Sequence, residues 1–296
     1  MSAVALVQAD YSFYFASDGN PDNRPFPLLR DTSAAVILLS LFPASVILLF
    51  KIRSFVLLIL CITNSSLIGE GLRETLKIRK PSMLTVRAFT FNPVEENTYV
   101  LYNENNRCCI IDPGCYFPEE REGLKMFLEE AGLSPVLLLN THCHLDHVFG
   151  NKFIYDTWAL PLHLHEKEKP MLDLATASGL LYQLPFDNYE GPLVYLKAGE
   201  KIKIDDDELE IRFTPGHSPG HVCFYNEAGG FVISGDVLFN GSIGRTDLPG
   251  GNYDILINSI QTQLFTLPDE TNVYPGHGPM TTVGFEKTNN PFVKLY

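Results

Sequence analysis

The chemistry of this chain is concentrated in Thr141-His142-Cys143-His144-Leu145-Asp146-His147, where four metal-binding side chains fall within six residues. Imidazole nitrogens and carboxylate oxygens are donors that zinc, iron and manganese accept. His142 and His144 stand two apart and point the same way from an extended segment. Asp146 and His147 then turn away toward a second, neighbouring point, so one loop can serve two adjacent cations. The bland alternative is a solvated polar loop. It is disfavoured because six of the eight histidines lie in this stretch or in two later Gly/Pro-rich turns.

Such a cluster needs a rigid support. The apolar run Val136-Leu137-Leu138-Leu139 just before it reads as a buried strand, and α/β proteins place ligand sites at the C-terminal ends of strands. Three further loops repeat the arrangement. A strand over 208–213 runs into Pro215-Gly216-His217-Ser218-Pro219-Gly220-His221, one over 230–234 into Gly235-Asp236, and one over 271–274 into Pro275-Gly276-His277-Gly278. Gly and Pro fix unusual backbone at each turn. With His221 set aside, these loops offer five His and two Asp. The remaining pattern predicts strands over 84–89, 98–102, 107–111, 160–164, 193–196, 201–204 and 222–225. It predicts helices over 118–131, 150–157, 166–184, 253–264 and 282–287. Two packed sheets with helices outside accommodate this as one α/β domain, residues 83–296.

Charge and cysteine usage narrow the partners. A net charge of −13 over 296 residues, with no Lys/Arg cluster, argues against nucleic acid. Residues 83–296 carry 14 basic and 29 acidic residues, so the acidity belongs to that part. Six cysteines without a C-x-x-C pair point to a reduced, cytoplasmic protein without disulfides.

Residues 1–82 read differently. An apolar run over 34–50, broken by serines and Pro43, is followed by Lys51-Ile52-Arg53-Ser54 and a second run over 55–62. A membrane span takes about 20 apolar residues, so the first run is borderline and the second too short alone. The preferred reading treats 1–82 as an N-terminal extension, disordered or lying outside the functional protein, with Met83 as the natural start. A membrane anchor through residues 34–62 is the alternative.

The order HxHxDH, PGH, GD and PGHG resembles the metallo-β-lactamase superfamily, across residues 83–296 and none of 1–82. Within it the chain looks most like the short hydrolases related to glyoxalase II (hydroxyacylglutathione hydrolase). The resemblance implies an αββα sandwich. It also implies one metal on His142, His144 and His217, a second on Asp146, His147 and His277, and Asp236 bridging them. Two divalent ions, zinc foremost with iron or manganese acceptable, would supply a metal-bound hydroxide that attacks a small thioester substrate. Asp146 would orient the nucleophile, which makes Asp146 and Asp236 the catalytic carboxylates.

Relatives with other chemistry fit less well. β-Lactamases proper usually place Cys where Asp236 stands, and flavodiiron proteins place Glu at the position of His144. A nuclease would need a basic groove, and a non-catalytic module would not need a full ligand set. Persulfide dioxygenases share the fold and motif order but use one iron, here on His142, His217 and Asp236. They also carry an Arg-Thr-Asp like Arg245-Thr246-Asp247, so that alternative stays open. Full-length glyoxalase II has a helical domain after the last metal turn. Here 19 residues follow His277, so that domain is expected to be missing. His221 is expected behind the site, Cys143 away from the metals, and His163 and His165 on a solvent face. The loop carrying Arg245-Thr246-Asp247 is expected either to border the cleft or to be held by an Arg–Asp pair.

Overall fold

The computed structural model describes residues 46–52, 55–61 and 84–293. The chain divides into two units, Met1–Ile78 and Arg79–Tyr296. In the first, β1 (Val46–Ile52) and β2 (Phe55–Cys61) pair antiparallel, with Ile52 opposite Phe55. The apolar runs of the N-terminal section thus contain two strands. The rest of 34–62, and the start expected at Met83, lie outside the described residues. No helix among the described residues is long and apolar enough to cross a membrane.

The second unit is built on two six-stranded sheets. The first has the order β3 (Thr85–Phe91), β4 (Glu96–Tyr102), β5 (Arg107–Ile111), β6 (Ser134–Leu139), β7 (Leu162–His165) and β8 (Leu193–Leu196). β3 to β5 are antiparallel neighbours, whereas β5 to β8 run parallel. The second sheet has the order β9 (Lys201–Ile204), β10 (Asp207–Phe213), β11 (Val222–Asn226), β12 (Phe231–Gly235), β15 (Asn272–Pro275) and β16 (Thr281–Thr282). A small hairpin of β13 (Leu238–Phe239) and β14 (Ser242–Ile243) follows β12.

Alternating side chains divide the apolar residues into three layers. Tyr99, Leu101, Ile111 and Leu139 of the first sheet meet Leu209, Ile211, Phe224 and Ile233 of the second in the central layer. On the outer face of the first sheet, Val100, Ile110 and Leu138 pack against three helices, α1 (Pro118–Glu130), α3 (Asn151–Trp158) and α4 (Lys169–Leu181). α1 begins with Pro118 and two glutamates, as a helix N-terminus favours, and turns Leu124 and Leu128 inward. On the outer face of the second sheet, Cys223, Val232 and Val273 pack against α5 (Tyr253–Ser259), its continuation Ile260–Leu264, and α6 (Val283–Asn289). The order helix, sheet, sheet, helix is the expected αββα sandwich.

β10, β12 and β15 share one direction, because β10 and β12 flank the antiparallel β11 and β15 is parallel to β12. Their C-terminal ends therefore open on one edge. Phe224 lies at the centre of the layer between the sheets and is fully buried. Phe224→Ala is expected to destabilise the protein by about 3–5 kcal/mol, the usual cost of emptying such a site. Chemical denaturation of the full chain would measure it.

Candidate metal centre

Each expected loop emerges from the C-terminal end of a strand. β6 ends at Leu139, and the chain then passes through Asn140 and Thr141 into His142-Cys143-His144. The short helix α2 (Leu145–Val148) follows directly and carries Asp146 and His147 away from the first two histidines. This helical turn, where the sequence suggests only a bend in a loop, is what aims the motif at two points. His217 sits in the loop between β10 and β11, Asp236 immediately follows β12, and His277 lies two residues beyond β15.

The structure brings all seven residues together. His217 Nε2 lies 2.8 Å from His144 Nδ1 and 3.2 Å from His142 Nε2. His277 Nε2 is 3.1 Å, and His147 Nε2 3.6 Å, from Asp146 Oδ2. Asp236 stands between the two trios. Its Oδ1 is 3.4 Å from His147 Nε2, and its Oδ2 is 3.5 Å from His217 Nε2 and 3.6 Å from His277 Nε2.

The tautomers are fixed from behind. Thr141 Oγ1 donates to Asp112 Oδ2 at 2.5 Å and so accepts the His142 Nδ1–H at 3.1 Å. His147 Nδ1–H donates to Asp112 Oδ2 at 3.1 Å, His217 Nδ1–H to Arg245 O at 2.7 Å, and His277 Nδ1–H to Val94 O at 3.1 Å. Four imidazoles therefore turn Nε2 toward the centre, and His144 turns Nδ1. Lone pairs this close repel one another unless a cation lies between them. Among the described residues, the buried His147 Nε2 and Asp236 Oδ1 find no hydrogen-bond partner. The donor set thus fits two divalent cations.

The electrostatics differ between the trios. Burial and the neighbouring His217 hold His144 down to about 3, and burial with His147 holds His142 well below its ordinary value. Burial opposes charge on His147 as well, but Asp146 and Asp236 outweigh it and hold its pKa well above the usual range. Asp236, despite burial, is held low by His147, His217 and His277.

Asp112, His142 and His147 also form a close group. Asp112 accepts from Thr141 N, Thr141 Oγ1 and Asn140 Nδ2, so its oxygens are already engaged and it supports the ligands from outside. Asp112→Ala is expected to weaken metal binding by about 10–100-fold, as loss of such outer partners does. Competition with a chelator of known affinity would measure it. Glu96, fully buried, lies 3.8 Å from His147 Nδ1, and burial pushes its carboxyl well above the ordinary range. Neither carboxylate carries a motif that the sequence reading singled out.

The bystanders fall into place. His221 accepts the Asp236 N–H at 3.1 Å and donates to Thr214 Oγ1, so it holds the backbone of Asp236. Cys143 is buried in the helix-covered layer, away from the centre. Arg245 and Asp247 form a bidentate pair with both contacts at 2.7 Å, more than half exposed, while the Arg245 carbonyl fixes His217. His163 and His165, expected on a solvent face, are half-buried. That face of β7 is partly covered, as His165 stacks on Phe213 of the second sheet with ring centroids 4.6 Å apart. The centre opens on the side of His277, whose side chain is 28% exposed against 0% for His147.

Comparison with known proteins agrees with this geometry. The family model of the metallo-beta-lactamase superfamily matches residues 92–277. The chain is 40% identical to "Probable metallo-hydrolase YqgX" of Bacillus subtilis, over 70% of this chain and 96% of that protein. It is 37% identical to "Hydroxyacylglutathione hydrolase GloC" of Haemophilus influenzae, over 67% of this chain and 93% of that one. Among solved structures, BLEG-1, a B3 metallo-beta-lactamase, is 37% identical with a TM-score of 0.66, covering 71% of this chain and 99% of its own. TTHA1623 in a di-iron-bound form is 38% identical with a TM-score of 0.64, covering 70% and 100%. With its αββα sandwich and its joined His/Asp loops, the chain belongs to the metallo-beta-lactamase superfamily and is a metal-dependent hydrolase of that family.

Proposed function

We propose that residues 83–296 form a dinuclear hydrolase that cleaves a small thioester of the hydroxyacylglutathione kind. The observation that carries this reading is the pair of ligand trios with Asp236 between them. One cation would rest on His142, His144 and His217, the other on Asp146, His147 and His277, with Asp236 shared. Zinc is the favoured metal. Iron and manganese are also accepted by these donors, and the related TTHA1623 is known in a di-iron form. The 37% identity to GloC supports the thioester class.

When bound, the two cations would lower the pKa of a bound water and polarise the substrate carbonyl. The chain supplies the rest. Asp146 orients the attacking water through the carboxylate that also faces His277. Asp236 fixes the separation of the two trios. The buried side of the centre excludes solvent, so charge developing on the carbonyl oxygen meets a preorganised environment. A thiolate leaves with a pKa of about 8.5, so no separate general acid is required.

The acidic body speaks against nucleic acid as a partner. Among the described residues five free, buried cysteines fit a reducing compartment, for which we propose the cytoplasm. The deciding experiment uses the purified full chain: metal content, thiol release from an acyl-glutathione thioester, opening of a β-lactam, and oxygen uptake with glutathione persulfide. Two metals per chain with thiol release are expected. The β-lactam is included because BLEG-1, at 37% identity, is named for that activity. One iron with oxygen uptake would replace the hydrolase by the dioxygenase reading.

A further inference from the structure

Two buried side chains outside the seven-residue donor set hold its loops, and each reaches one half of the centre. Glu168 closes the 3-10 turn Glu166–Glu168 and is fully buried. Its Oε2 accepts the N–H of Cys143, the residue between His142 and His144, at 2.8 Å. Its Oε1 accepts Ser218 Oγ–H at 2.5 Å and Gly220 N–H at 2.6 Å, just after His217. The space for it is specific, since a Cβ on Gly220 would meet Glu168 Cγ at 2.9 Å. Two loops distant in sequence are thus tied together by one carboxylate.

Asn97 does the corresponding work at the other trio. Its Nδ2 donates to Pro275 O at 3.1 Å and to Gly278 O at 2.9 Å, bracketing His277. Its backbone N–H donates to Gly276 O at 2.7 Å, and its Oδ1 accepts Thr90 Oγ1–H at 3.1 Å. The His277 turn is therefore held at three carbonyls around the ligand, those of Pro275, Gly276 and Gly278, by one residue of β4.

We infer that Glu168 and Asn97 are positioning residues, each serving one cation: Glu168 the position of His142, His144 and His217, and Asn97 the position of Asp146, His147 and His277. The inference rests on the two-cation reading. Loops held in place by protein contacts do not have to be ordered by the ion, and loss of such outer partners costs about 10–100-fold in metal affinity. Glu168→Gln preserves size but replaces one acceptor oxygen with an NH₂ facing N–H or O–H donors. Asn97→Asp replaces the two-donor nitrogen with an oxygen facing two carbonyl oxygens. Each lesion is confined to its own loops.

The test is titration of the metal-free full chain with Zn²⁺ in competition with a chelator, read by calorimetry and by metal content. Wild type is expected to show two binding steps, with His144→Ala and His277→Ala identifying which step is which. Glu168→Gln is expected to weaken the step lost in His144→Ala by about 10–100-fold and the other by less than about threefold. Asn97→Asp is expected to do the reverse. In the His144→Ala background, Glu168→Gln should leave the remaining step unchanged. Ser218→Ala, which removes one of the three donors, stands in where Glu168→Gln does not fold. Equal weakening of both steps in either variant, or no change in either step, overturns the assignment. A single step in the wild type overturns the two-cation reading, and the inference with it.

Discussion

Asp236→Ala is expected to reduce hydrolysis by on the order of 10³-fold and to lower metal content below two per chain, with the fold retained. The effect is large because Asp236 faces both trios, lying 3.4 Å from His147 Nε2 and 3.5 Å from His217 Nε2. A cation contributes several kcal/mol of charge stabilisation, and about 4 kcal/mol corresponds to about 10³ in rate. Folding should survive, because the apolar layers on either side are made by other residues. Asp146→Ala, made in parallel, separates the chemistries. In the dinuclear reading it removes a ligand of the second cation, so activity should fall comparably. With a single iron on His142, His217 and Asp236, Asp146 is no ligand, and the Asp146→Ala protein would keep its iron and most of its turnover. Activity and metal content of the two variants decide between them, and circular dichroism confirms that both are folded.

That so much of this centre is legible in the sequence has a physical reason. Ligands that must converge on an ion are placed at strand ends, and a strand end announces itself as an apolar run followed by a Gly- or Pro-containing turn. Val273 and Tyr274 before Pro275-Gly276-His277 follow that rule, and Val136-Leu137-Leu138-Leu139 before His142 follows its first half, the density of His and Asp announcing the rest. The supporting residues obey no such rule. Glu168 sits in Glu166-Lys167-Glu168, at the start of the helix expected over 166–184, where nothing in three charged residues in a row marks one of them as fully buried. Asp112 follows a strand in an ordinary Asp-Pro-Gly turn, and its partner His147 is 35 residues away.

Packing explains the other departures. Leu-His-Leu-His at β7 alternates as a half-exposed strand would, and Leu162 and Leu164 are indeed buried. The opposite face is only half open to solvent, because the second sheet brings Phe213 onto His165. β13, β14 and β16 are two residues each, too short for any alternation to register. Helical spacing over 253–264 is right in extent, but the last turn, Ile260–Leu264, is a π-helix that still turns Ile260 and Leu264 inward. Spacing registers which face is apolar and is insensitive to a change of helical pitch.

Two glycines of the His277 turn make the sharpest contrast available in this centre. In Gly276→Ala the new methyl would collide with Asp236 Oδ1 and stand 2.8 Å from His147 Cε1, with the Gly235 carbonyl carbon at 3.2 Å. None of these neighbours is free to retreat. Asp236 is held by its backbone to His221, and His147 is anchored on Asp112. Gly276 N–H is itself bonded to Gly235 O at 2.8 Å. Overpacking of this kind costs about 1–3 kcal/mol of stability, but its larger effect falls on the centre, because the methyl displaces the shared carboxylate and a ligand of the second trio together. A loss of activity of about 10²-fold or more is expected, since a misplacement of about 1 Å is enough for that, along with loss of the second metal. Gly278→Ala differs in kind. Gly278 has φ +73° and nothing within 4 Å of the added Cβ. Its cost is only that of a left-handed non-glycine residue, about 1–2 kcal/mol, and metal content should stay near that of wild type. Melting temperature and metal content, measured side by side, separate crowding at the ligands from backbone strain. Similar metal loss in both variants would mean that the turn as a whole, rather than the space beside Asp236, controls the second position.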